Sequence, residues 1–122
     1  MNDEADLQRH IVIVGPCASG KSTLRAGLQA RGFTQVRVVA QEHSGVRDLW
    51  KLRGYPEVLI YLDARAETAN ARQGRSDWTP AAHADQRYRL RDARLACDLY
   101  LPTDDLSPDD VLDYVVAFLS TS

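Results

Sequence analysis

A chain of 122 residues, 44% hydrophobic and 26% charged, is sized for one compact domain spanning 1–122 and is too short for two ordinary ones. Its longest apolar runs, residues 11–14 and 58–62, fall far below the roughly 18 residues of a membrane span, and the polar, acidic start MNDEADLQRH is unlike a signal or transit peptide. The net charge of −2 conceals a split: residues 7–97 hold all 15 bases against eight acids, whereas residues 98–122 hold six acids and no base, so the middle of the chain favours an anionic ligand.

Residues 1–8 read as a flexible tail. Residues 10–14 (HIVIV) form a continuous apolar run ending at Gly15, the pattern of a parallel strand buried on both faces. Residues 21–31 carry Leu24 and Leu28 at helical spacing and stop at Gly32. A second strand is expected over 35–40 (QVRVVA), a short helix or turn over 46–53, and a second strongly buried strand over 58–63 (VLIYLD). A helix over 66–73 leads into a lid-like loop at about 72–80. Thr79-Pro80 then pairs a capping residue with proline at the first helical position and opens one long helix to about residue 96. A short strand at 98–101 and a final amphipathic helix, capped at Ser107 and running over 108–119, complete the chain. Strands alternating with helices predict an α/β fold: a three-layer sandwich around a mostly parallel sheet of about four strands.

Cys17 and Cys97 lie 80 positions apart without a CxxC or histidine pattern, so neither a zinc site nor a disulfide is expected, and a reducing, cytoplasmic setting fits. The strongest motif is Gly15-Pro16-Cys17-Ala18-Ser19-Gly20-Lys21-Ser22, which satisfies G-x-x-x-x-G-K-[ST] between a buried strand and an amphipathic helix. Glycines let successive backbone N–H groups turn toward phosphates, and the helix N-terminus adds its positive end. Lys21 is then expected at the β and γ phosphates, Ser22 on Mg²⁺, and Thr23 near the α-phosphate of ATP or GTP.

The loop, the strand with its following Asp63-Ala64, and then Glu67 and Arg72 resemble the P-loop nucleoside and nucleotide kinases. Arg87 to Asp92 (RYRLRD), Thr103-Asp104 and Leu106-Ser107-Pro108 resemble the ending of cytidylate and shikimate kinases. The resemblance implies a minimal P-loop fold with strand order QVRVVA, HIVIV, VLIYLD, DLYL. It also implies lid arginines that stabilise the transferring phosphoryl group, with Arg72, Arg75, Arg87 and Arg91 as candidates. Arg87, Arg91 and Arg94 share one helical face. The segment that carries acceptor-binding helices in that family is reduced here to residues 32–57. Two acids remain for Mg²⁺ or base work: Glu42, expected at the carboxyl end of the second strand, and Asp63, which ends an apolar strand, with Glu42 ranked first.

These features lead to an ATP- and Mg²⁺-dependent phosphotransferase acting on a small-molecule acceptor, or alternatively to a nucleotide-binding switch, non-catalytic or weakly hydrolysing, that has lost its acceptor site. Nucleic-acid readout finds little support, since the arginines are interleaved with acids. The acceptor, the base preference and the oligomeric state stay open.

Overall fold

The computed structural model describes residues 4–121. Four strands, β1 (His10–Val14), β2 (Gln35–Val38), β3 (Val58–Asp63) and β4 (Leu99–Pro102), form one sheet in the order β2-β1-β3-β4, with every pair parallel. This is the strand order that the resemblance implied. In β1, Ile11, Val12, Ile13 and Val14 are fully excluded from solvent, and β3 is buried along its whole length. Both strands need covered faces because neither has a polar side to offer water, and each such side chain contributes about 2 kcal/mol on burial.

Alternation along the strands feeds two cores. Ile11, Ile13, Ile60 and Leu62 pack against Leu24 and Leu28 of α2 (Lys21–Ala30) and Val111, Val115 and Leu119 of α6 (Pro108–Thr121). Val12, Val14, Leu59 and Tyr61 face the opposite way, onto Trp50, Leu90 and Ala93. The sheet is thereby sandwiched between two helical layers. Among the described residues no helix is long and apolar enough to cross a membrane.

The N-terminal segment differs from the expected tail. Residues Glu4–Leu7 form a helical turn, Leu7 packs against the first core, and the backbone is tied by Thr34 N to Leu7 O (3.0 Å) and Gln35 Nε2 to Gln8 O (2.9 Å). Residues 1–3 of that tail lie outside the described residues.

The helix expected over 80–96 is two helices, Pro80–Arg89 and Arg91–Ala96, which break at Leu90. The first packs beside the turn that follows β2 and the second lies over β3, so the break falls where the segment changes neighbours. Leu90 absorbs the bend at φ −93° and ψ 0°, with its side chain fully buried in the second core. The segment 66–73 is helical as read, Ala66–Gln73, and ends on Gly74 in the left-handed region (φ 64°). In chain order these helices are α3 (Ala66–Gln73), α4 (Pro80–Arg89) and α5 (Arg91–Ala96), after α1 at the N-terminal turn. The Thr79 hydroxyl caps α4 by accepting from Ala82 N at 3.1 Å, and Ser107 and Asp110 form a reciprocal cap at the start of α6.

Candidate functional site

The loop between β1 and α2 lies at the carboxyl edge of the sheet. Gly15 has φ +153°, and a Cβ there would meet Leu62 O at 2.0 Å, so the end of β3 admits only glycine. Gly20 enters α2 in the left-handed region (φ 102°), and Ala18 adopts φ 59°, a conformation that costs a non-glycine residue about 1–2 kcal/mol. The Ser19 hydroxyl is buried without a hydrogen-bond partner, while the side chains of Ser22 and Thr23 are exposed on the first turn of α2.

Lys21 folds back into the loop. Its ammonium donates to Gly15 O at 2.7 Å and Pro16 O at 2.9 Å, and pairs with Glu42 Oε2 at 2.9 Å. Three N–H donors thus meet three acceptors. Glu42 arrives there because β2 runs beside β1 and its path continues through the bond from Val39 N to Ile13 O (3.1 Å). The chain then closes into a 3₁₀ turn at Gln41–His43. Gln41, fully buried, fixes that turn by accepting from Trp50 N (3.2 Å) and donating to Val46 O. Glu42 itself is 4% exposed, and its second oxygen, Oε1, has no partner. A buried carboxylate oxygen facing a lysine without a donor of its own is costly, and it fits a site that receives a cation.

Asp63 is placed differently. Oδ2 accepts from Arg87 Nη2 (2.6 Å) and from the Tyr100 hydroxyl, and Oδ1 accepts from Ala64 N (2.9 Å). Both oxygens are therefore committed away from Lys21. Burial and the neighbouring Asp63 carboxylate raise the Tyr61 phenol above its ordinary value, and burial together with its bond to Asp63 raises Tyr100 likewise. His83 Nε2 accepts from Arg87 Nε at 3.2 Å, and burial, then the Arg87 charge, lower the His83 pKa.

The four candidate arginines separate. Arg72 reaches the loop: Nη1 donates to Ala18 O (2.7 Å) and to Thr103 Oγ1 (3.1 Å), while Nη2 donates to Thr103 O. The Thr103 hydroxyl donates a hydrogen bond to Ser19 O (2.8 Å), so a turn after β4 and a helix after β3 both grip the loop. Arg75 pairs with exposed Asp77 at 2.9 Å. Arg87 is held by Asp63, and Arg91 stacks on the Tyr88 ring at 3.9 Å. Arg87, Arg91 and Arg94 do line one cleft, of about 340 Å³, with Tyr61 and Tyr100.

Beside the loop a second cavity of about 300 Å³ opens between Gly20, Thr23, Arg72, Thr103, Leu106 and Pro108, with a largely apolar lining. Trp50 is core, 3% exposed, with Tyr55 edge-on to it at 5.4 Å. Trp78 is docked by Asn70, which accepts from Trp78 N (3.0 Å) and donates to Trp78 O (2.9 Å).

Sequence reasoning missed Gln86. From α4 its Oε1 accepts from Cys17 N (2.9 Å) and its Nε2 donates to Cys17 Sγ (3.1 Å). The signal was present: His83 and Gln86 recur at helical spacing as the buried face of α4, so a polar residue there must face a polar partner. Compared with protein-family models and with curated protein sequences, the chain finds no match.

Proposed function

We propose that the chain binds a nucleoside triphosphate, ATP or GTP, together with Mg²⁺ at the 15–22 loop, and transfers its terminal phosphoryl group to a small acceptor. The observation that carries this reading is the buried pair of Lys21 and Glu42, which joins the loop lysine to a carboxylate with one unpartnered oxygen. Backbone N–H groups of the loop and the N-terminus of α2 bind the phosphates. Lys21 exchanges Glu42 and the two loop carbonyls for phosphate oxygens, a replacement of one anionic partner by another. Glu42 and the Ser22 hydroxyl hold the metal, which supplies charge neutralisation across the phosphates when bound. The cavity beside Thr23, lined by Arg72, Leu106 and Pro108, would accept the base. Arg87 and Arg91 line the neighbouring cleft and are the candidates for charge stabilisation there.

The test is a coupled assay with Mg·ATP and Mg·GTP over nucleosides, nucleotides and sugars. Turnover above acceptor-free hydrolysis, lost in Lys21→Met, supports a phosphotransferase; none across the panel removes that activity. One observation favours the second reading, a nucleotide-binding module without an acceptor. Arg75 and Arg87 are each engaged by an acid, Asp77 and Asp63, rather than turned to the loop. That reading expects tight nucleotide binding with no acceptor-stimulated turnover.

A further inference from the structure

The mouth of the loop carries a second constellation, which has Glu42 in common with the proposed nucleotide site. Cys17 Sγ lies 3.6 Å from His43 Nε2, and His43 Nε2 lies 3.8 Å from Glu42 Oε2. One ligand atom from each of the three residues falls within 4.8 Å of the other two. Glu42 is buried and keeps Oε1 unpartnered, while Oε2 is satisfied by Lys21. Oε2 is the oxygen within 3.8 Å of His43, so a cation at this cluster shares the carboxylate with Lys21, while Oε1 keeps no partner.

We propose that Cys17, His43 and Glu42 form a three-ligand site for Zn²⁺. A tetrahedral zinc with sulfur at about 2.3 Å and nitrogen at about 2.05 Å holds those two atoms about 3.6 Å apart. The observed Cys17–His43 separation already has that value. A thiolate, an imidazole and a carboxylate select zinc over Mg²⁺ or Ca²⁺, which take oxygen ligands. Gln86 supplies the outer support: by gripping both the backbone N–H and the sulfur of Cys17 it fixes where the sulfur points. Binding forms the Zn–S bond as the thiol proton leaves to solvent, so affinity rises with pH. Three protein ligands leave the fourth position to water.

The two cations share Glu42, so zinc and Mg·nucleotide compete; this clause rests on the proposed function, whereas the zinc site itself does not. The site is tested by titrating the reduced full chain with Co²⁺, without nucleotide. One equivalent is expected to produce a near-ultraviolet thiolate-to-cobalt charge-transfer band and visible bands of tetrahedral intensity, all removed by Zn²⁺. Cys17→Ser abolishes the charge-transfer band, His43→Ala weakens binding at least tenfold, and Cys97→Ser changes neither. In the unmutated chain, Zn²⁺ slows alkylation of Cys17 and leaves Cys97 unaffected. The proposal is overturned if no charge-transfer band appears, if the band follows Cys97, or if zinc leaves Cys17 alkylation unchanged. Persisting bands with no nucleotide competition instead refute the shared use of Glu42.

Discussion

Replacing Lys21 with methionine removes the donor to three acceptors at once, Gly15 O, Pro16 O and Glu42 Oε2. Glu42 is then a buried carboxylate with neither oxygen paired across the loop. Breaking a buried pair from one side costs about 3–5 kcal/mol, out of the ~6–18 kcal/mol expected for a domain of 122 residues. The lower end applies here, because Lys21 retains 10% side-chain exposure and water can reach the loop. With a urea slope of about 1.5 kcal/mol/M, a loss of about 3 kcal/mol moves the unfolding midpoint down by about 2 M. Replacing both partners, Lys21→Met with Glu42→Leu, removes the stranded charge, so the double variant is expected to be more stable than the sum of the single losses by about 2 kcal/mol. Urea unfolding followed by circular dichroism measures all four corners of the cycle. Additive losses, with a coupling below about 0.5 kcal/mol, would refute the reasoning that the two groups act as one buried unit.

Two further outcomes follow from the same contacts. Arg72→Ala removes the charge-assisted bonds to Ala18 O and Thr103 and is expected to cost about 2 kcal/mol in unfolding, with nucleotide affinity falling as the cavity loses a lining residue; unchanged stability would show that the grip on the loop is redundant. His83 has a folded pKa below its unfolded value, so as pH falls through about 6.5 the unfolded chain takes up a proton that the native state resists, and stability declines. His83→Gln is expected to flatten the melting-temperature profile between about pH 7 and pH 5, and an unaltered slope would contradict that assignment.

The sheet was legible in the sequence because β1 and β3 carry apolar runs that only burial on both faces explains, and because turn and cap residues punctuate them. Glu42 was legible for a related reason: a strand beside β1 must end near the loop that follows β1, and an acid placed there reaches Lys21. Asp63 ends its strand just as plainly, but its fate depends on Arg87, 24 positions away, and on Tyr100 from β4. Local pattern does not encode such pairings. The helix break at Leu90 was hidden for a similar reason: the segment has helical spacing throughout, and the break falls where its two halves meet different neighbours. The contact between Gln86 and Cys17 joins residues 69 positions apart, so only the buried stripe of α4 hinted at it.

Binding of a nucleoside triphosphate to the 15–22 loop through Lys21 is the proposal on which the other roles depend. Titration calorimetry of the full chain with Mg·ATP and Mg·GTP tests it most directly, beside Lys21→Met protein shown by circular dichroism to be folded. One site per chain is expected for at least one of the two nucleotides, with no measurable heat from the variant. Absence of binding by the unmutated chain, or equal binding by the two proteins, would contradict it.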